Sequence, residues 1–385
     1  MRLVLRMLLV VATISLSSAA ARAEEGSHYF PGAASSFIDI LPLNTGLSTV
    51  GVSNDSIYYH GSNNHLGANA TTYTNASAFL YQFPGFIPIL PGNAQYSIAL
   101  AVPYTWLKVN APLMISKKKT ILAKDTDNGF GDVALFPFML GWTKPGLECV
   151  GNEDAPRLNY VLKYQTQFGI YAPTGTFDNK NVANIGRNFW TFEPSAALSY
   201  FRYTSGKPRM SFEFTTFAGF DFNTKNSATH YQSGDQFHLD GTLAVHVENK
   251  KGDRAYGAGV SGFFYQQITG DSVGGVSVPN FEAMTTGVGP ELSFLTKIKE
   301  HVALAAEVKW LPELSVSNRL QGNAVWFKIA FAWLPSVPDP KCPKQTVAPF
   351  TAGAQYNAVA PYTAAAPFTG VPQPSASALS ALLSF

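Results

Sequence analysis

Residues 189–223 read FWTFEPSAALSYFRYTSGKPRMSFEFTTFAGFDFN. Eleven of these 35 residues are aromatic, yet Glu, Asp, Arg and Lys run through them, too charged for a membrane helix and too apolar for a soluble surface. Successive side chains of an extended strand point to opposite sides, so parity decides the reading. The even positions carry Trp190, Phe192, Pro194, Ala196, Leu198 and Tyr200, then Met210, Phe212, Phe214, Thr216, Ala218, Phe220 and Phe222. The odd positions carry Thr191, Glu193, Ser195, Ala197 and Ser199, then Arg209, Ser211, Glu213, Thr215, Gly219 and Asp221, with Phe217 as the one aromatic of that later set. Two strands of about fifteen residues, each with one apolar face, exceed the usual five to six of a soluble strand. They suit a strand crossing a bilayer at a tilt. A three-residue loop, Ser205-Gly206-Lys207, pairs Tyr203 with Arg209 and sets Glu213 opposite Ser199. The faces then match across the hairpin.

The same parity recurs in YSIALAVPYTW (96–106), LNYVLKYQTQFGI (158–170), QFHLDGTLAVHVE (236–248), VALAAEVKW (302–310) and VWFKIAFAW (325–333). Twelve strands are predicted, over 48–60, 74–83, 94–108, 129–143, 157–172, 189–204, 208–223, 235–248, 253–268, 283–298, 302–312 and 322–334. In the second half, tight turns (SGK, NKKG, KEH) alternate with longer stretches at 173–188, 224–234, 269–282 and 313–321. Short turns on one side and long loops on the other build an outer-membrane barrel with periplasmic turns, and an even strand count puts both termini in the periplasm. The fold class is therefore all-β: a transmembrane antiparallel β-barrel of about twelve strands, with a backbone radius of roughly 12 Å.

The chain opens MRLVLRMLLVVATISLSSAAARAEE. Arg2 and Arg6, the apolar run 7–16 and Ala21-Arg22-Ala23 are the parts of a secretory signal peptide over 1–23. No later run of eighteen apolar residues suggests a membrane helix. The predicted organisation is signal peptide 1–23, N-terminal segment 24–47, barrel 48–334 and a mobile, disordered Pro/Ala-rich tail 335–385 in the periplasm. The formal charge of +2 belongs to the leader: 27 basic residues less its three leave 24 against 25 acidic. With no basic excess, nucleic acid is not an expected partner. The expected partners are outer-membrane lipid, a small hydrophobic or aromatic solute, and the outer-membrane assembly machinery. Cys149 and Cys342 both fall on the predicted periplasmic side, which allows a disulfide between them.

Chemical motifs are sparse. GAGVSG (257–262) spells GxGxxG, but it lies inside a strand instead of opening a helix, so no dinucleotide site is predicted and small inward residues that open lumen space are the reading. His238, Asp240 and His246 share one polar face with no third ligand nearby in sequence, so neither metal, cofactor nor catalytic residue is expected. The predicted lumen path consists of Tyr171, Phe201, Phe217, Phe263 and Tyr265 for apolar contact, Glu193, Glu213 and Glu291 for charge, and His238, Asp240, His246, Glu307, Lys309 and Lys328 beside them. Two apolar segments, HYFPGAASSFIDILPLN (28–44) and PGFIPILPGN (84–93), have no place on the barrel exterior, and some of this material is expected in the lumen.

HYFPGA (28–33), GFGDVALFP (129–137), YAPTGTFD (171–178), ANIGRNFWTFEPSAALSY (183–200), NTKNSATHYQSGDQFHLD (223–240), QQITGDS (266–272) and GVGPEL (287–292) occur in order. The chain resembles, over about 26–334, the outer-membrane proteins of phenol meta-cleavage degradation pathways. That resemblance implies a bacterial outer-membrane barrel taking up aromatic or other hydrophobic catabolic substrates, and brings no catalytic residues with it. The expected function is passive uptake by a channel, not an enzyme. The alternatives are a lipid-modifying outer-membrane enzyme and a structural barrel with a plugged lumen.

Overall fold

A computed structural model describes residues 27–42, 44–63, 67–116, 119–149, 156–181, 183–206, 208–277, 282–299, 301–335 and 342. The predicted signal peptide, and the predicted tail beyond 335 apart from Cys342, lie outside them. The chain is all-β. The barrel is formed by β1 (Thr49–Asn63), β2 (Ala68–Gln82), β3 (Gln95–Ser116), β4 (Lys119–Phe130), β5 (Val133–Glu148), β6 (Arg157–Ala172), β7 (Thr191–Tyr203) and β8 (Met210–Asn223). After the short β9 (Tyr231–Gln232), β10 (Gln236–Glu248) and β11 (Arg254–Gln267) continue the wall. The short β12 (Ser272–Val273) and β13 (Val276–Ser277) precede β14 (Met284–Lys299), β15 (Val302–Ser317) and β16 (Gln321–Trp333). Pairing of β16 with β1 and of β2 with β3 closes the sheet into a ring. β4 and β5 both pair with β3, β4 above and β5 below, and so share one position in a ring of 12. The strand predicted over 129–143 is thus one long descent broken at Gly131-Asp132.

Parity sorts the side chains as the sequence predicts. Phe212, Leu243 and Phe327 face outward, each about half exposed, while Glu213, His246 and Lys328 face inward and are buried. Trp106, Trp190, Trp310 and Trp333 also stand on the outward side, as aromatic side chains of a membrane barrel do at the lipid boundary. This is the exterior of a barrel that faces lipid.

Several details depart from the expectation. The β7–β8 register pairs Ser199 with Thr215, two residues from the predicted partner, because the turn runs from Thr204, whose N–H donates to Met210 O. Parity survives a shift of two, so the faces stay matched. β15 reaches Ser317, which leaves only 318–320 where a long loop over 313–321 was expected. The outward face of β1–β2 is polar at mid-wall, where Asn54 and Asn75 exchange side-chain hydrogen bonds of 2.9 and 2.7 Å and Asn75 also donates to Ser56. Each amide satisfies the other, which lowers the cost of facing lipid. The apolar turn 84–93 does not enter the lumen. It folds against the outer rim, where Trp142 Nε1 donates to Pro91 O at 3.0 Å, and Ile89 is 89% exposed. An apolar turn at the rim can face lipid, which removes any need to hide it inside. Cys149, after β5, and Cys342, after β16, form a disulfide across 193 residues of sequence.

Candidate functional site

The lumen is occupied by the chain's own N-terminal segment. At one end Arg187 Nε donates to Ser27 O, and at the other Gln95 Nε2 donates to Leu47 O at 2.8 Å. Because Arg187 lies in the 173–190 loop and Gln95 begins β3, residues 27–42 and 44–47 descend from the extracellular half to the periplasmic rim. The inward charges of the wall hold this descent. Lys328 Nζ pairs with Asp39 and donates to Ala33 O. Lys309 Nζ lies 2.9 Å from Glu307 and donates to Ser35 Oγ, while Ser36 Oγ donates to Glu307. Phe37 N–H donates to Glu213 Oε1 at 2.9 Å, and His246 Nε2 meets Oε2 of the same carboxylate at 2.7 Å. Leu41 N–H donates to Gln165 Oε1 at 2.7 Å. A non-helical segment inside a barrel must find partners for its backbone groups, and wall side chains supply them.

Packing joins these polar ties. Phe37 packs against the cluster containing Phe201 and Val161, and Ile40 clusters with Ala197 and Phe217. Phe30 and Ala33 pack on Phe263, Leu311 and Trp326, and Tyr29 clusters with Tyr265. Gly32 has φ +81°, and a Cβ there would stand 2.2 Å from Leu311 Cδ1, so the bend in the segment needs glycine. The Tyr29 hydroxyl donates to Asp240 Oδ1 at 2.7 Å and the Gly32 N–H to the same oxygen at 2.8 Å. Burial, followed by the Asp240 carboxylate, keeps the Tyr29 phenol protonated well above its ordinary range, so it remains a donor. Burial also pushes the His28 imidazole below its ordinary value, although Asp132 pulls the other way.

Asp132 is a second organising point. It accepts from Gly175 N–H at 2.8 Å and Arg187 N–H at 2.7 Å, and His28 Nε2 lies 2.8 Å away. A Cβ on Gly175 would be 2.8 Å from Gly186 Cα, so two loop backbones cross here without side chains. Asp271 similarly accepts from Tyr231, Gly234 and Gln267 and ties the extracellular loops together. The sequence motifs HYFPGA, GFGD, YAPTG and NIGRN therefore meet at one carboxylate.

All fourteen predicted path residues point inward, but they do not line one open conduit. Two of the cavities beside the segment bear on a path through the lumen. The larger, about 370 Å³, touches Ala76, Ala78, Ala99, Ala101 and Ala134 on one side and Phe30, Ile38 and Phe217 on the other. Tyr171, Glu193 and His238 also border it. The smaller, about 250 Å³, carries Phe201 and runs down to Tyr203 and Leu334. The cavities abut, sharing Ile38, Ile40, Ser53, Ala78, Leu80 and Ala99. Glu213, Asp240, His246, Glu307, Lys309 and Lys328 bond the segment or one another instead of bordering either cavity. Phe263 and Tyr265 pack on the segment, and Phe263 borders a third pocket of about 150 Å³. Glu291 accepts from Thr242 and Ser261 within the wall. The glycines of 257–262 do not open lumen space: a Cβ on Gly257 would lie 2.1 Å from Ser293 Oγ and 2.6 Å from His246 Nδ1. The alanine face of β2 and β3 is not among the predicted path residues. Its only signal is a row of small residues at inward parity.

A family model described as "Putative MetA-pathway of phenol degradation" matches residues 53–329. The chain belongs to this family. No curated protein matches it. Among solved structures, the COG4313 outer membrane channel from Pseudomonas putida F1 aligns with 80% of this chain and 100% of its own, at 14% identity and a TM-score of 0.48. The translocator domain of the autotransporter NalP from Neisseria meningitidis aligns with 84% and 95%, at 9% identity and 0.39. A Pseudomonas aeruginosa FadL homologue aligns with 82% and 97%, at 9% identity and 0.30. The family match ends four residues before Trp333 closes the wall, and begins after the segment that fills the lumen.

Proposed function

We propose that this barrel admits small hydrophobic or aromatic solutes by passive diffusion along the track between the N-terminal segment and the alanine face of β2 and β3. The observation that carries this reading is the pair of abutting cavities, walled by small apolar side chains and extending along the segment. A pocket of a few hundred Å³ lined mainly by apolar groups suits a one-ring solute, and the family description names phenol degradation. Much of the polar side of the lumen is tied to the segment, and the lining of the cavities is mainly apolar, which disfavours sugars. His238 and His246 are inward and buried, away from lipid, which favours transport over lipid chemistry. Residues 1–23 would direct export and 335–385 would remain periplasmic. Liposome swelling with phenols, benzoates, alkanes and sugars tests the reading. Phenols and benzoates should enter faster than sugars of similar size, with lipid hydrolysis at background. Equal rates for all four classes would contradict a selective apolar track, and no swelling with any would favour a purely structural barrel.

A further inference from the structure

Beneath Tyr29, strands β7, β8 and β10 bring three carboxylates to one imidazole. His238 Nε2 lies 4.0 Å from Glu193 Oε1 and 3.9 Å from Asp221 Oδ1, and these three donor atoms all lie within 4.8 Å of one another. On the other ring nitrogen, Asp240 Oδ2 stands 3.7 Å from Nδ1. None of these is a hydrogen-bond distance. Both Asp221 oxygens, both His238 nitrogens and Asp240 Oδ2 are buried without a hydrogen-bond partner. Among the described residues, His238 is the only cation-forming group within ion-pair distance of Glu193, Asp221 and Asp240. Glu193 and Asp221 moreover stand opposite each other, between the pairs Phe192–Phe222 and Ser195–Gly219. Like charges so placed oppose strand pairing. Even a protonated imidazole leaves a net negative, desolvated cluster.

We propose that Glu193, Asp221 and His238 bind a divalent first-row transition-metal ion of the Zn²⁺ or Co²⁺ type, inside the wall and under the docked N-terminal segment. Such an ion sits about 2.0–2.2 Å from imidazole nitrogen and carboxylate oxygen, so neighbouring ligands of a tetrahedral ion stand about 3.3–3.6 Å apart. The 3.9 and 4.0 Å separations reach that span when the side chains draw in by about half an ångström on the ion. A nitrogen donor selects against Ca²⁺ and Mg²⁺, which prefer all-oxygen shells. The outer contacts are those a metal histidine needs. Nδ1 faces the Asp240 carboxylate, which Tyr29 and Gly32 hold in place. The second oxygen of Glu193 accepts from the Tyr171 hydroxyl at 2.7 Å, leaving Oε1 for the ion. The Tyr29 and Phe217 rings lie nearly parallel to the imidazole, with centroids 4.1 and 5.9 Å away, and fix its plane. Gly219 keeps the space clear, since a Cβ there would stand 2.4 Å from His238 Nε2 and 3.3 Å from Glu193 Oε1. No sequence motif announces the set because each ligand comes from a different strand.

Tyr29 covers the ligand histidine and holds its partner carboxylate, so metal binding and docking of the segment strengthen each other. The test needs no transport. Full-length protein in detergent is stripped with chelator, then titrated with Zn²⁺ by calorimetry and with Co²⁺ by visible absorption. The expected result is one ion per chain, d–d bands from Co²⁺ that Zn²⁺ abolishes, and no displacement by Ca²⁺. Asp221→Asn and Gly219→Ala should each weaken Zn²⁺ binding at least tenfold while strand circular dichroism is unchanged. Tyr29→Phe lies outside the wall and cannot disturb strand pairing; it should weaken binding by about tenfold through Asp240. Wild-type protein that takes up no ion, or binds Zn²⁺ no more tightly than the Asp221→Asn and Tyr29→Phe variants, overturns the site. Displacement of Co²⁺ by Ca²⁺ overturns the transition-metal assignment.

Discussion

Deleting residues 28–44 should raise single-channel conductance by roughly an order of magnitude, since a twelve-stranded barrel relieved of its contents holds a water-filled lumen. The segment now withdraws both surface and charge from that lumen. It covers Phe201, Phe217 and Phe263 and occupies Lys328, Glu213, Gln165 and Asp240. Without it these polar groups are hydrated, not stranded, because water enters with the deletion. The wall should therefore remain folded, and discrimination between phenols and sugars should fall along with the barrier. Planar-bilayer recording checks both. Conductance equal to that of the intact chain would show that the segment is not the barrier.

Asp39→Asn should loosen the segment without removing it. Lys328 is fully buried and Asp39 nearly so. Removing one partner of a buried ion pair costs about 3–5 kcal/mol, mostly the penalty of leaving the other charge unpaired. The low end of that range applies here, because Asp55 stands opposite Lys328 in the β1–β16 register and keeps part of its compensation. The variant should show frequent open events and rapid proteolysis within residues 27–47, while the barrel resists protease. Proteolysis of Asp39→Asn at the intact chain's rate would remove the ion pair from the account of docking.

Parity makes most of the wall legible in the sequence. Strands from 157 to 333 alternate so regularly that the buried Glu, His and Lys of the predicted spans are assigned to the inside by number alone, while Glu313, read as part of a loop, is not. β1 and β2 are the weakest because their outward positions hold Asn54, Ser56, Asn75 and Ser77, whose mutual hydrogen bonds let polar residues face lipid. Registers are legible only modulo two, since a shift of two residues in a turn leaves every side chain on its own face. The apolar character of 28–44 and 84–93 sets both apart from the exterior strands without saying which enters the lumen, because hydrophobicity alone does not separate a buried segment from one at a lipid rim. The lumen site is least legible. Which inward residues border space and which grip the segment depends on where Ser27–Leu47 runs, and no periodicity encodes that path. The Glu193–Asp221–His238 cluster needs three strands in register, and single-strand reading of His238, Asp240 and His246 cannot find it.

The alanine track is tested most directly by filling it. Ala78 and Ala99 border both cavities where they meet, so Ala78→Trp and Ala99→Trp place an indole across the proposed route without touching the ties of the segment. In liposome swelling, phenol entry through either variant should fall to the rate of protein-free vesicles while the folded barrel is retained. Phenol entry through both at the wild-type rate would place the solute's path elsewhere.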